Sequence, residues 1–120
     1  MVKILLLMFL CHILDDFVLQ PICLSKLKQK STWKDYPKMY ENDYKMALFM
    51  HSLSWSIFIN LPLFLIMSST FILVSVILNG TVHYLIDDIK ANKGKINLIE
   101  DQTIHIIQII TTWLVALYLA

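Results

Sequence analysis

The chain has 120 residues, enough for one domain, and at 58% hydrophobic with a mean hydropathy of +0.65 it is too apolar for a soluble one. Its ten basic residues, all lysine, against nine acidic ones leave a formal charge of +1, so a nucleic-acid-binding surface is excluded and no DNA or RNA partner is expected. Cys11 and Cys23 read as two free thiols, not a disulfide framework.

Four apolar runs approach the roughly 20 residues that carry a helix across the hydrocarbon core of a bilayer. The first, residues 2–20, starts like a signal peptide with Lys3 before an apolar stretch. His12, Asp15 and Asp16 occupy the expected cleavage region, so it reads as a retained helix. Residues 21–45 form a basic, aromatic loop, with Lys26, Lys28, Lys30, Lys34, Lys38 and Lys45 interleaved with Trp33, Tyr36, Tyr40 and Tyr44. That composition suits a headgroup layer or a plain solvated loop equally. The second and third runs, 46–67 and 70–89, are joined only by Ser68 and Ser69 and must form a tight antiparallel hairpin, with Pro62 bending the first of them. The fourth, 98–120, follows a turn at Gly94.

The expected fold is a single all-α membrane domain over residues 1–120, a polytopic bundle of four transmembrane helices. Six lysines in the first loop and Lys90, Lys93 and Lys95 in the last, against Lys3 on the other side, place both loops in the cytoplasm and both termini outside.

An aspartate at the centre of a membrane helix costs about 2.5 to 3.5 kcal/mol on insertion scales, so each intramembrane acid or histidine needs a partner or a purpose. His12 precedes Asp16 by four residues, His83 precedes Asp87 by four, and Asp101 precedes His105 by four, so three helices each carry one pair on one face. His51, the last of the four histidines, opens the second helix. The orientation puts all seven at one depth near the cytoplasmic side, where a bundle can aim them at a common centre. Seven compensating groups are a costly way to build a core, so a transition-metal site is the better account. They exceed the four ligands of one tetrahedral zinc: either two metals share them or some aspartates orient ligand histidines. Zinc is favoured, with iron and manganese also compatible.

Helix geometry separates Asp87, about 40° from His83, from Asp88, about 140° away. It does not separate Asp15 from Asp16. Glu100 suits the charge-favouring start of the fourth helix. Asn79, one turn before His83, either orients that ring or makes an interhelical hydrogen bond.

The segments HILDDFVLQ (His12 to Gln20), HYLIDDIK (His83 to Lys90) and DQTIH (Asp101 to His105) resemble the signatures of a family of small bacterial and phage membrane proteins catalogued as domain of unknown function 3307. The resemblance covers essentially the whole chain and includes a histidine matching His51. It favours Asp16 over Asp15, because the family pattern is a histidine, three residues, Asp-Phe, two more residues and a glutamine. Gln20 and Gln102 match polar positions of the family and Lys90 a basic one. The implied location is the bacterial inner membrane. The third-helix motif is also similar to one in predicted membrane-bound metal-dependent hydrolases, which supplies an analogy only.

These readings point first to a metal-dependent hydrolase of a lipid or lipid-linked ester or phosphoester, with Asp16 or Asp101 as general base and Lys90 as an anion contact. The alternative is a metal-ion or proton transport or binding protein. Against it stand the outer halves ILLLMF, LPLFLIM, FILVSVIL and WLVALYLA, which are nearly all apolar. A purely structural metal is the third reading. The bilayer is the expected partner, and association of several copies is compatible with the sequence.

Overall fold

The computed structural model describes residues 1–20 and 22–120, and among these the chain is all-α, with no strand. Helix α1, Val2–Ile13, continues into a π-helical stretch, Leu14–Leu19. Helix α2, Ile22–Leu27, is followed by two 3₁₀ turns, Lys30–Trp33 and Lys38–Tyr40. Helix α3 is Asp43–Asn60, with a 3₁₀ extension Leu61–Leu65. Helix α4, Ser69–Asp88, ends in a second π turn, Ile89–Lys93, and α5 is Leu98–Leu119.

The boundaries have local causes. Pro62 has no N–H to donate, and regular α geometry ends at Asn60, so the second run tightens into a 3₁₀ segment instead of continuing as a bent α-helix to Met67. Ser68 is the N-cap of α4, its Oγ accepting from Phe71 N–H at 3.2 Å, and Ser69 already lies within the helix. The π turn after α4 ends at Gly94, whose φ of +58° is left-handed and favours glycine. At the start of α5, Asn97 and Glu100 form a capping box with bonds of 3.0 and 2.8 Å, so Glu100 is a capping residue, as its position suggested.

The basic segment after α1 is neither an open loop nor one amphipathic helix. Trp33 stacks on Tyr40 at 6.4 Å and lies 5.4 Å from Tyr36, while its indole N–H donates to Leu27 O at 3.0 Å.

Among the described residues, three helical stretches are long and apolar enough to cross a membrane: Lys38–Leu65, Ser69–Lys93 and Leu98–Leu119. The stretch Val2–Leu19 is not among them. Leu73, Ile77 and Leu78 of α4 and Ile107, Leu114 and Tyr118 of α5 are exposed, an apolar surface far larger than water tolerates and suited to lipid.

Among the described residues, α3 and α4 are the most extensively packed pair of helices. A Cβ on Gly80 would lie 3.1 Å from Ser56 Oγ, and the bare glycine lets the two backbones approach, a small-residue contact of the kind membrane helices use. Met8, Trp55, Ile59, Leu63, Ile72, Ile109 and Ala116 form the buried apolar core.

The apolar outer segments are bordered inside the bundle by a buried polar ladder, of which only Ser75 lies within one of them. Asn60 Oδ1 accepts from Ser75 Oγ at 2.7 Å, and Asn79 Nδ2 donates to Ser75 Oγ at 3.1 Å and to Thr112 Oγ1 at 2.9 Å. Buried amides and hydroxyls satisfy one another here, as polar groups cut off from water must.

Candidate metal centre

The acids and histidines picked out by spacing meet near the end of the bundle where α3 and α5 start and α4 stops. The π geometry of Leu14–Leu19 widens the turn, and both Asp15 and Asp16 are brought inward. A regular helix would have directed these neighbours about 100° apart. His51 comes from α3, His83 and Asp87 from α4, and Asp101 and His105 from α5.

His51 Nε2 lies 3.4 Å from Asp16 Oδ1 and 3.6 Å from Asp87 Oδ2. His105 Nε2 lies 3.3 Å from Asp101 Oδ1 and 3.8 Å from Asp87 Oδ1, and His83 Nε2 lies 3.8 Å from Asp87 Oδ2. Asp16, His51 and His83 form one group able to hold a metal ion, and His83, Asp87 and His105 form a second. Bonds of about 2.0 to 2.2 Å to a tetrahedral ion set its donors about 3.4 Å apart, which is the spacing of the shorter contacts here. Asp16 Oδ1, Asp101 Oδ1, His105 Nε2 and both nitrogens of His83 are buried without a hydrogen-bond partner, as is Asp15 Oδ2. Buried polar atoms are ordinarily satisfied, so such a concentration of orphaned atoms fits a cation.

Ring orientation is imposed from outside the cluster. His83 is sandwiched between Trp55 at 4.2 Å and His105 at 4.1 Å, both nearly parallel to it. Gln108 donates through Nε2 to Asn79 O at 3.1 Å and Oδ1 at 3.3 Å, and its Oε1 lies 3.1 Å from His105 Nδ1. An amide oxygen can only accept, so Nδ1 of His105 carries the proton and, in the neutral ring, Nε2 turns a lone pair to the centre. Asn79 therefore makes the interhelical hydrogen bond and acts on His105 through Gln108; no hydrogen bond joins it to His83. Asp15 accepts from Ser54 Oγ at 2.6 Å and lies 3.7 Å from His51 Nδ1, on the far side of that ring.

His12 stands apart. Its Nδ1 accepts from Trp55 Nε1 at 2.9 Å, and although it lies 3.6 Å from Asp16 it belongs to neither group.

Two lysines reach the same carboxylates. Lys28 Nζ, buried, lies 2.6 Å from Asp87 Oδ2 and 3.3 Å from Gln20 Oε1, and Lys90 Nζ lies 2.6 Å from Asp101 Oδ2. Lys90 is thus engaged with a carboxylate. Gln102 Nε2 bridges Asp16 Oδ2 at 3.2 Å and Asp101 Oδ2 at 3.1 Å, so it ties α5 to the π stretch after α1. Asn92 holds the backbone next to Lys28, donating to Lys28 O at 3.1 Å and accepting from Lys30 N–H at 2.6 Å. A small cavity of about 120 Å³, lined by Asp15, Gln20, His51 and Ser54 among others, opens on the His51 edge.

Residues 4–120 match the family described as protein of unknown function (DUF3307). The chain belongs to that family. No curated protein and no solved structure matches it. In this DUF3307 chain, Lys28, Trp55, Gln108 and Ser54 were not singled out from the sequence. Trp55 follows His51 by four residues and Gln108 follows His105 by three, so helix spacing could have found both. Nothing in the sequence separates Lys28 from the other loop lysines.

Proposed function

We propose that the chain is an integral membrane protein that holds a divalent transition metal in its His/Asp cluster and uses it to hydrolyse a lipid or other membrane-associated ester or phosphoester. The observation that carries this is the set of buried, unpartnered polar atoms from three helical segments, joined by His51 of α3, at the spacing of a metal's donors. Zinc suits the imidazole and carboxylate set, and iron and manganese are compatible with it. In this reading Val2–Leu19 is a fourth crossing, the lysine-rich segments and the cluster are cytoplasmic, and both ends of the chain are outside.

A bound metal supplies Lewis acidity and an activated water near neutral pH. His51, His83 and His105 hold it with Asp87 and one or both of Asp16 and Asp101. Oδ1 of both Asp16 and Asp101 is unpartnered and Oδ2 of both accepts from Gln102, but only Asp101 is also paired with a lysine, Lys90 at 2.6 Å, which weakens it as a base and leaves Asp16 the better-placed general base. Lys90, its side chain 35% exposed, is the anion contact at the rim. The cavity beside His51 gives the scissile group an approach.

The test is turnover of phospholipid and lipid-linked phosphoester substrates by zinc-loaded protein in vesicles. Wild type should release product, and Asp16→Asn should keep the metal and lose at least about 100-fold in rate. Absence of turnover by metal-loaded wild type across those substrates would contradict the enzymatic reading. The buried amide and hydroxyl ladder from His105 through Gln108, Asn79 and Ser75 to Asn60 favours a second reading, proton or metal-ion transport. That reading predicts flux across sealed vesicles, lost in Asn79→Leu, and no hydrolytic product.

A further inference from the structure

The carboxylates facing the cluster are Asp15 and Asp16 from the π stretch after α1, Asp87 from α4 and Asp101 from α5. Asp88 faces outward, where Asn92 at 2.8 Å and Lys93 at 3.6 Å engage it. Two ammonium groups answer the four inward carboxylates. Lys28 arrives from the segment after α2 and Lys90 from the π turn after α4, each 2.6 Å from one oxygen of Asp87 or Asp101. Ionised carboxylates and protonated lysines together leave two negative charges, carried by the Asp15 and Asp16 side.

In a low-dielectric interior that remainder is costly unless a cation meets it, and one divalent ion cancels it. A second would overshoot by two charges. The geometry agrees with the charge. The two candidate groups are not independent, since both need His83. Serving two ions would require His83 to ligate through both ring nitrogens, and an imidazole bridge holds its metals farther apart than the about 3.5 to 4 Å typical of two-metal hydrolytic sites. As the alternative bridge Asp87 is disfavoured, because the Lys28 ammonium at 2.6 Å competes with a second metal for its Oδ2.

We propose that the cluster takes a single divalent ion, and that Lys28, reaching in from outside the transmembrane helices, stands where a second cation would otherwise be needed. This rests on the metal reading above and sharpens it. Lys28 is a positioning residue: it commits one oxygen of Asp87 to an ammonium and leaves Oδ1, 3.8 Å from His105 Nε2, facing inward. The clamp of Asn92 on the Lys28 backbone keeps the ammonium there.

The experiment is zinc titration of purified full-length protein in lipid nanodiscs, with bound zinc counted by elemental analysis at saturation. Wild type should saturate at one zinc per chain. Lys28→Met removes a competing cation and should bind zinc at least about tenfold more tightly, whereas Lys28→Arg, which keeps the charge, should stay within about threefold of wild type. Two zinc ions per wild-type chain would overturn the single-ion inference and leave the metal reading standing. No zinc in wild type would remove both. Zinc binding by Lys28→Met no tighter than wild type would overturn the role given to Lys28. If Lys28→Met does not fold, Lys28→Gln takes its place, and the wild-type count decides the stoichiometry in either case.

Discussion

The indole N–H of Trp55 donates to Nδ1 of His12 across 2.9 Å, and this one bond separates His12 from the other three histidines. An indole can only donate, so that nitrogen carries no proton, and a neutral His12 must hold its proton on Nε2. A ring with one nitrogen accepting and the other protonated has no lone pair left for a metal. His12→Ala should therefore keep its zinc, with affinity within about tenfold of wild type, the range of an outer-shell change. Zinc titration of the variant checks this, and complete loss of zinc would show His12 to be a ligand.

Gln108 should matter more than its distance from the metal suggests. Its amide fixes the His105 proton on Nδ1, and Asn79 fixes the amide. Gln108→Leu should weaken zinc binding about 10- to 100-fold, the usual cost of losing a partner behind a ligand histidine. Gln108→Glu, which still accepts from Nδ1, should recover part of that loss in the same titration. A general packing defect would not distinguish the two.

The two glycines should separate stability from the site. Gly80→Leu forces α3 and α4 apart where a Cβ would already be 3.1 Å from Ser56 Oγ, and should destabilise the bundle by about 1 to 3 kcal/mol while lowering zinc occupancy, because His51 and His83 lie on those two helices. Gly94→Ala places a side chain at φ +58°, costs about 1 to 2 kcal/mol, and should leave zinc occupancy unchanged. Unfolding in graded denaturant with parallel metal analysis reads both.

The proposed orientation makes Lys34 and Lys93 neighbours on one side of the membrane. Single cysteines at these positions, in a background with Cys11 and Cys23 replaced, should react with the same impermeant reagent from the same face. Labelling from opposite faces would contradict the orientation.

Much of the centre was legible because helices repeat. His83 with Asp87 and Asp101 with His105 are four residues apart, and a helix puts such pairs on one face whatever surrounds it. Asp15 was not legible in the same way: its inward direction depends on the π turn at Leu14–Leu19, whose wider turn cannot be inferred from α-helical angles. Lys28 is 59 positions from Asp87, and their contact is made across a tertiary junction at which Asn92 ties the segment after α2 to the turn after α4. Of the polar ladder only the interhelical hydrogen bond of Asn79 was legible. Ser75 and Thr112 are sparse in apolar runs, and their contacts with Asn79 follow from the helix packing, which hydropathy does not encode.

The central claim is that the buried cluster is a metal site and not a set of mutually paired acids and histidines. Metal content of purified protein, measured by elemental analysis for wild type beside His83→Ala, tests it most directly, because His83 belongs to both candidate groups and neither of its nitrogens has a protein partner. The account predicts a stoichiometric transition metal in wild type and its loss, or an affinity at least about 100-fold weaker, in a folded His83→Ala chain. A metal-free wild type that takes up no zinc, iron or manganese on titration, or a His83→Ala chain that retains the metal in full, would contradict it.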